Sequence, residues 1–324
     1  MGTIRLVMDR SGQGEPAEVA PERLPQLLAD PDSRVWLDIT DPGPEEVALL
    51  RQAFGFHELA LAEVTEPHER PRCDTYNDYY FIVVYAAELQ GMEFHPRELN
   101  LFWGKNYLVT IHRRPQAVVA VLEDTRRRWE QHDGRQTYGI ACLVHTLFER
   151  IVDGYFLVQD RFRERMEGIE EAILEGGDTA AADLYRLRKD LLRVPRLLAP
   201  TTHVLAEVLR RERGIPAELR PYFSDVEDHA SHVLAEMDTY RDLLSAALDV
   251  SVFYSFNRLG HVMKRLTAVT VIIMVPNFVA SIYGMNFDNI YPPSAGQWSF
   301  FLVVAGLMVM VAWGFIHSKM LKWL

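Results

Sequence analysis

The stretch LTAVTVIIMVPNFVASIYGMNF, residues 266–287, decides the fold of this chain because it contains no charged side chain. A second uncharged stretch runs from Trp298 to Ile316. An α-helix needs roughly 20 apolar residues to cross about 30 Å of hydrocarbon. A chain in lipid must satisfy its own backbone polar groups, so the two stretches predict a pair of membrane-spanning helices joined outside the bilayer. The alternative is a buried helical pair in the core of a soluble protein.

The charges around the two stretches predict their orientation. Basic residues lie on the sides away from the connecting loop: Lys264, Arg265, Lys319 and Lys322. The loop, residues 288–297, has no Lys or Arg and a single acid, Asp288. The positive-inside rule therefore places both termini, and everything before residue 260, in the cytoplasm. Residues 1–10 contain no apolar run of the length that a signal peptide needs. We expect an integral protein of the cell (inner) membrane.

Composition narrows the function. The 324 residues are 48 % hydrophobic and 24 % charged, as in folded proteins of one or two domains. The net charge of −11 argues against a nucleic-acid partner and suits a protein that attracts cations. Cys73 and Cys142 lack the paired spacing of a disulfide scaffold or a zinc site. The sequence has no phosphate-binding Gly-rich loop, no Gly-x-Ser-x-Gly and no His-Glu-x-x-His, so we do not expect an enzyme.

Residues 1–220 predict an α+β domain, in which helices cover a mixed sheet. The runs rich in β-branched and aromatic residues predict neighbouring strands: Val35–Ile39, Tyr79–Ala87, Glu98–Trp103 and Tyr107–His112. Helical spacing of apolar residues predicts four helices: Glu45–Phe54, Gln116–Gln131, Thr137–Leu174 and Ala180–Arg213. Gly176 and Gly177 end the third helix, so the last two should form a hairpin.

The sequence from Ser224 to Tyr283 predicts one continuous helix, about 90 Å long at 1.5 Å per residue. Its apolar residues suggest one seam: Leu234, Met237, Leu244, Leu248, Val262 and Leu266. A helix of this length cannot bury the seam by itself, so we expect copies to pack in a parallel bundle with a pore on the symmetry axis. The expected segments are a stalk helix (221–265), a first span (266–287), an external loop (288–297), a second span (298–317) and a basic cytoplasmic tail (318–324).

Asn286 is the first candidate for function. It follows the first span beside Gly284, which permits neighbouring backbones to approach closely. A ring of amide oxygens there could receive a divalent cation in its hydration shell, since Mg²⁺ dehydrates reluctantly. The residues alone leave open that Asn286 caps the helix C-terminus instead.

The pentapeptide Tyr283-Gly-Met-Asn-Phe287, which contains Gly284-Met285-Asn286, resembles the signature of the CorA family of magnesium channels. Further blocks resemble the family in the same order: Trp36–Ile39, Phe56–Leu61, Arg70–Arg72, Asp225–His229, Val262–Thr267 and Lys319–Leu324. The resemblance covers nearly the whole chain. It implies a homopentamer with a funnel-shaped cytoplasmic domain and a pore lined by the first span.

The resemblance also implies roles for individual residues. Gly284, Met285 and Asn286 form the outer selectivity ring, and Asp249 forms a ring at the cytoplasmic end. Bulky constrictions fall on Met263, Leu266 and Met274, although such residues at helical spacing are also ordinary packing. Asn277 takes a polar pore-facing position. The family's external loop often carries an acid in a Met-Pro-Glu segment, whereas this loop has only Asp288 to attract cations.

The family's regulatory cation sites lie between protomers in the cytoplasmic funnel. The resemblance implies that Asp225 belongs to one, with Glu88 as its candidate partner and Asp228 as a further acid. A hydrated Mg²⁺ that bridges two carboxylates would hold a closed state, and its loss would shift the population toward open states. As an alternative, Asp225 caps the stalk helix. His229 and His232 nearby could bind Zn²⁺ or Ni²⁺, or could form a solvated face.

The sequence thus predicts a divalent cation channel that carries Mg²⁺, and Co²⁺ or Ni²⁺ as further ions, into the cell under the control of cytoplasmic Mg²⁺. One alternative is a Zn²⁺-transporting relative of the same fold. Another is a membrane-anchored oligomeric metal sensor that does not conduct. The sequence leaves open the ion preference, channel-like against proton-coupled flux, and the resting state.

Overall fold

The computed structural model describes residues 2–10, 16–66, 70–91, 93–114, 116–131, 138–174, 180–211, 214–284 and 297–317. These residues divide into two compact units. The first unit comprises the described residues up to Ala246, and the second comprises those from Ala247 onward. The division falls inside one helix.

A single sheet organises the first unit. Its seven strands within the described residues are β1 (Thr3–Arg10), β2 (Ala17–Glu18), β3 (Ser33–Thr40), β4 (Arg72–Thr75), β5 (Tyr80–Gln90), β6 (Glu93–Trp103) and β7 (Tyr107–His112). Their order across the sheet is β2-β1-β3-β7-β6-β5-β4. Strands β3 and β7 pair in parallel, and the other neighbours pair antiparallel. The predicted mixed sheet is therefore confirmed.

The predicted strands extend further than the sequence pattern indicated. Strand β6 begins at Glu93, not at Glu98, and β5 continues to Gln90. The two strands pair without interruption from Tyr80↔Trp103 to Gln90↔Glu93. Antiparallel pairing extends the hairpin through polar residues because backbone hydrogen bonds do not require an apolar side chain.

Helices cover both faces of the sheet. On one face lie α2 (Pro44–Phe54) and α3 (Glu58–Thr65), and the short α1 (Leu24–Ala29) contacts β3. The Phe56 ring, between α2 and α3, stacks on Phe102 of β6 with centroids 4.1 Å apart. We call this side the α2/α3 face. Because side chains alternate along a strand, Asn100 and Phe102 share this face, whereas Trp103 points to the other.

The opposite side is the α4/α5 face, covered by α4 (Gln116–Glu130) and α5 (Ile140–Leu174). Trp129 of α4 packs on Trp36 of β3 with centroids 5.9 Å apart. The buried Tyr155 of α5 donates its hydroxyl to the Tyr85 carbonyl at 3.0 Å. Helix α6 (Ala180–Arg211) contacts α5 as the predicted hairpin partner. Arg165 and Asp190 join α5 and α6 through an ion pair at 3.3 Å.

Helix α7 runs from Arg220 to Tyr283 and confirms the prediction of one continuous helix. It begins at Arg220 and not at Ser224, because Pro221 is tolerated in a first turn, whose N–H groups have no intrahelical acceptor. Pro276 lies inside the helix and does not end it.

The seam predicted along α7 is partly wrong. A stripe of buried residues with spacings of three and four occupies the part of α7 in the first unit: Phe223, Val226, Ala230, Val233, Met237, Tyr240 and Leu244. We call this the covered stripe. It includes Met237 and Leu244, which were expected to pack against copies of the chain. Helix α5 instead supplies part of the cover, since Arg163 Nε donates to Tyr240 Oη at 3.4 Å and the Phe156 ring lies 5.8 Å from that of His229.

The second unit contains the rest of α7 and α8 (Gln297–His317). Among the described residues, α7 is the one helix long and apolar enough to cross a membrane, and 6 % of its apolar window is buried by the chain. Helix α8 contains a shorter apolar run, Phe301–Val311. The two predicted spans are thus both helical over their described residues.

Candidate functional site

The candidate pore residues lie on one side of α7. Asp249, Met263, Leu266, Met274 and Asn277 are in one continuous helix. At 3.6 residues per turn, these positions fall within an arc of about 100°. The helix therefore places on one side the charged, bulky and polar residues to which the family resemblance assigned separate roles.

The same arc also contains polar residues that the sequence analysis missed. Thr267, Thr270 and Ser281 fall on it at the same helical spacing. Each donates its hydroxyl to the carbonyl four residues earlier, at 2.8 Å in all three cases. Because the hydroxyl hydrogen is used inside the helix, the oxygen presents lone pairs outward as an acceptor. We call Thr267, Thr270, Asn277 and Ser281 the polar arc; a helical projection of the sequence could have found it.

Positive charges lie away from this arc. Arg258 and Arg265 fall on the far side of α7 by the same helical count. A path for cations would be disfavoured by guanidinium groups on its wall, because like charges repel across a narrow low-dielectric space. Acceptor oxygens on one side and basic groups on the other give the helix a side suited to cations.

Helix α7 ends next to the glycine of the motif. The Gly284 N–H donates to the Ala280 carbonyl at 2.9 Å. A Cβ at position 284 would lie 3.3 Å from that carbonyl oxygen, which is a crowded contact. Crowding at the helix end thus favours glycine at position 284 over a residue with a Cβ. Met285, Asn286 and Asp288 lie outside the described residues, so the selectivity ring and the loop acid stay predictions.

Asp225 and Asp228 lie in the interior of α7, beyond its first turn. The alternative in which Asp225 caps this helix is therefore wrong, since the helix begins at Arg220. The Asp225 side chain is 69 % exposed and its carboxylate lies 3.9 Å from His229 Nε2. Within the described parts of the chain, no group of three or more His, Cys, Asp or Glu side chains could hold a metal. The grouping of His229 and His232 with these acids does not form a metal site within one chain.

Glu88 lies on β5 and is engaged inside its own chain. Its carboxylate accepts from Arg97 Nε of β6, and from Gln90 Nε2 at 3.2 Å. Burial alone would raise the pKa of Glu88, but the hydrogen bonds and charge of Arg97 hold it below its usual value. Glu88 is therefore an ionised acid with a resident cationic partner. The sequence did not indicate Arg97, because only the β5–β6 register places it near Glu88.

Comparison with known proteins supports the family suggested by the sequence. The family model described as CorA-like Mg²⁺ transporter protein matches residues 32–317. The chain is 30 % identical over 290 residues to a putative metal ion transporter, YfjQ, of Bacillus subtilis, covering 87 % of this chain and 88 % of the relative. It is 28 % identical over 305 residues to the cobalt/magnesium transport protein CorA of Thermotoga maritima, covering 91 % and 85 %. The fold matches the CorA magnesium transporter structure from Methanocaldococcus jannaschii with a TM-score of 0.79 at 24 % identity, over 97 % of both chains.

Proposed function

The chain belongs to the CorA-like Mg²⁺ transporter family, and we propose that it conducts Mg²⁺ into the cell, with Co²⁺ and Ni²⁺ as further ions. The observation that carries this proposal is the extent of the family match. Residues 32–317 include most of the α+β domain and the two apolar helices, so the match extends over the soluble part and the membrane part of the chain together. The relatives are named as transporters of metal ions, and the family is one of transporters and not of enzymes.

We propose that the polar arc lines the ion path. A polar side chain in a membrane span is expensive unless it faces water or a polar partner. Thr267, Thr270, Asn277 and Ser281 present neutral oxygens, which can hydrogen-bond the water shell of Mg²⁺ without stripping it. Neutral acceptors also bind weakly enough to release the ion, as conduction requires. Met263, Leu266 and Met274 on the same arc would provide the narrow apolar constrictions between them.

At the outer end, the proposed selectivity ring consists of Gly284, Met285 and Asn286. The amide of Asn286 would receive the ion while it is still hydrated, and Asp288 in the loop would raise the local cation concentration. Asp249, at the other end of the arc, would raise the local cation concentration on the cytoplasmic side. The positive-inside distribution of Lys and Arg supports this orientation, with both termini in the cytoplasm.

A path for ions requires several copies of α7. Large apolar side chains of the second unit are exposed on a single chain, for example Phe256 at 69 %, Leu266 at 58 % and Met274 at 64 %. Lipid and neighbouring copies are the two environments that can cover them. A homopentamer, as the family resemblance implies, would place the five polar arcs around one axis and leave the other sides to lipid and to α8.

Cytoplasmic Mg²⁺ would regulate this assembly. Asp225 is exposed and lies on the part of α7 that belongs to the first unit, so a neighbouring subunit can approach it. Glu88, the proposed partner, is less accessible because Arg97 already neutralises it. A Mg²⁺ ion bound to Asp225 must therefore compete with Arg97 for Glu88, or use Asp228 as its second acid.

Ion flux into proteoliposomes tests the proposal. Purified full-length protein is compared with Mg²⁺, Co²⁺, Ni²⁺ and Zn²⁺ at equal concentration, with Asn286→Ala protein as the control for leak. We expect Mg²⁺ flux that Asn286→Ala abolishes. Zn²⁺ flux that exceeds Mg²⁺ flux would favour the zinc-transporting alternative. Absence of flux for all four ions from a folded oligomer would favour a non-conducting metal sensor.

A further inference from the structure

Helix α6 contains two prolines in its interior, Pro195 and Pro200. Proline has no backbone N–H, so the carbonyls of Leu191 and Arg196, four residues earlier, have no donor at the position where a helix normally supplies one. The helix thus lacks two of its backbone hydrogen bonds within about two turns. We call residues 191–202 the proline segment.

Two threonines weaken the helix further in the same segment. Thr201 Oγ1 donates to the Leu197 carbonyl at 2.9 Å, and Thr202 Oγ1 donates to the Ala199 carbonyl at 2.7 Å. A hydroxyl that bonds to a carbonyl of the preceding turn competes with the backbone N–H and bends helices. Proline is a common cause of sharp helix kinks. The proline segment is therefore the part of α6 that bends most easily.

The part of α6 after the proline segment is fixed to the sheet. Leu205 and Val208 are fully buried. Burial raises the pKa of the Cys73 thiol of β4 to about 11, and Asp74 adds to the rise, whereas the charge of Arg211 at the end of α6 opposes it. The end of α6 therefore lies beside β4, and α6 contacts both β4 and β5.

The part of α6 before the proline segment is fixed to α5 instead. Leu187 and Val194 are fully buried, and the ion pair of Arg165 with Asp190 joins the two helices at 3.3 Å. This part of α6 therefore moves together with α5.

Helix α5 leaves the sheet at the same level. Tyr155 donates its hydroxyl to the Tyr85 carbonyl of β5. Counting back along the antiparallel helices from the pair of Arg165 and Asp190 places Tyr155 level with Pro200. Beyond this level lies the outer hairpin, which we define as residues 156–174 and 180–194.

The outer hairpin meets α7 in a contact that is incompletely satisfied. The Arg163 side chain is 53 % exposed, and its Nε donates to Tyr240 Oη at the long distance of 3.4 Å. Gln159, one turn earlier on the same side of α5, is 6 % exposed, and its Oε1 has no hydrogen-bond donor within the described part of the chain. A buried amide oxygen without a donor disfavours the arrangement that contains it. This contact therefore holds the outer hairpin weakly.

We propose that the proline segment is a hinge about which the outer hairpin bends relative to the sheet, and that the bending changes the contact of Gln159 and Arg163 with α7. Helix α5 has no proline, so it bends as a smooth rod while α6 bends at one segment. The hinge follows from contacts within the first unit. Only its link to channel closing by Mg²⁺ rests on the proposed function.

Hydrogen exchange measured by mass spectrometry on the full-length protein in detergent tests the hinge. After correction for intrinsic rates, residues 191–202 should exchange about tenfold or more faster than residues 184–190 and 203–211. Pro195→Ala and Pro200→Ala each restore one N–H donor and raise helix propensity, so each should slow this exchange about fivefold. Pro221→Ala is the matched control, because the first turn of α7 has no intrahelical acceptor for that N–H. Equal exchange in the three parts of wild-type α6, or wild-type exchange in both alanine variants, would overturn the hinge.

The same measurement with and without Mg²⁺ tests the coupling to α7. We expect Mg²⁺ to slow exchange in the proline segment about threefold, and Tyr240→Phe, which removes the acceptor of Arg163, to abolish this response. Tyr185→Phe, on the exposed side of the outer hairpin, is the matched control and should keep the response. Gln159→Met replaces the amide by an apolar group of similar length and should slow the exchange without Mg²⁺.

Three outcomes would contradict parts of this proposal. A wild-type protein without the Mg²⁺ response, or a response that persists in Tyr240→Phe, would overturn the coupling to α7. Ion flux from a protein whose proline segment exchanges like its flanks would reject the hinge alone. A rapidly exchanging proline segment in a folded protein without flux would reject the proposed function alone.

Discussion

The two ends of helix α7 differ in how their apolar residues are covered. In the part before Ala247, apolar residues repeat at spacings of three and four and are buried by the same chain, with Phe223 at 0 % and Val233 at 0 % exposed. In the part from Ala247 onward, large apolar residues stay exposed on a single chain, with Phe253 at 62 % in the stalk and Phe278 at 64 % in the first span. One stripe is typical of a helix with one solvent-exposed side, whereas the uncharged, largely apolar surface from Leu266 onward is typical of a helix in lipid.

The difference shows that one helix can continue from one environment into another. The local sequence, and not the secondary structure, determines whether its side chains are covered by the same chain or by lipid and other copies. Backbone hydrogen bonds are satisfied equally in both parts. The first part gains stability by burying its covered stripe against its own domain. The second part gains no such stability until lipid or other copies cover it, so the proposed role of its polar arc in conduction does not depend on the packing of the first unit.

The largest expected effect separates the two parts by stability. Phe223→Ala removes a fully buried ring that stacks on Trp103 at 6.4 Å and meets the His145 ring at 5.3 Å. Such truncations cost about 3–5 kcal/mol, so the thermal unfolding temperature of the purified protein should fall by several degrees. Phe256→Ala is the matched control: this side chain is 69 % exposed on a single chain, so its truncation should leave the unfolding of the first unit nearly unchanged, whatever it does to contacts between copies. Equal losses for both variants would contradict the comparison.

The next effect separates the two parts by conduction. Asn277→Leu replaces the amide of the polar arc by an apolar group, so Mg²⁺ flux into proteoliposomes should fall about tenfold or more, equivalent to roughly 1.4 kcal/mol. Asn257→Leu is the matched control, because Asn257 is on the same helix but off the arc. Both proteins should keep the oligomeric state of the wild type. If the two variants conduct alike, the polar arc does not line the path.

A smaller effect should arise from the exposed side of the first part. Asp225→Asn removes one charge without touching the covered stripe, so stability should hold while the Mg²⁺ concentration that closes the channel rises about fivefold. Limited proteolysis against Mg²⁺ concentration measures this shift, together with the current that remains at high internal Mg²⁺. Asp238→Asn, another exposed acid on α7 that pairs with Arg241 at 2.9 Å, should change neither. A wild-type response from Asp225→Asn would assign sensing to Asp228 or Glu88.

The sequence predicted the elements whose signal is local. The strand Tyr107–His112 has the predicted bounds, since β-branched residues between a Gly-Lys-Asn turn and Arg113 define both ends. The single long helix and the two spans were predicted because uncharged stretches, and the lack of proline between Pro221 and Pro276, are visible without a partner. The family was identified from Gly284-Met285-Asn286 and the order of the other blocks, and the family comparison confirms it.

What the sequence could not predict depends on contacts between distant residues. Met237 and Leu244 have the same spacing whether their cover is α5 or another copy, so periodicity alone could not distinguish them. The pairing of Glu88 with Arg97 follows from strand register, which the pattern of β5 does not fix.

The smallest expected effect concerns pH and should be confined to the first unit. His112 of β7 is 4 % exposed, and its Nε2 lies 3.4 Å from Asp38 Oδ1. Burial lowers the pKa of His112, but the hydrogen bond and charge of Asp38, the Arg113 carbonyl and Asp41 raise it above the ordinary value of 6.5. Arg5 and Glu123, which pair at 2.6 Å, line a cavity of about 140 Å³ together with His112 and Asp38. A raised folded-state pKa stabilises the domain fully below about pH 6.5, and the contribution is lost as pH rises through the raised value.

Thermal unfolding should therefore show a modest loss of stability between neutral and alkaline pH, which His112→Gln removes. The segment from Leu266 to Gly284 has no Asp, Glu, His, Lys or Arg, so its protection against hydrogen exchange, corrected for the intrinsic pH dependence of amide exchange, should not change with this titration. A wild-type pH profile in His112→Gln would assign the titration to another group.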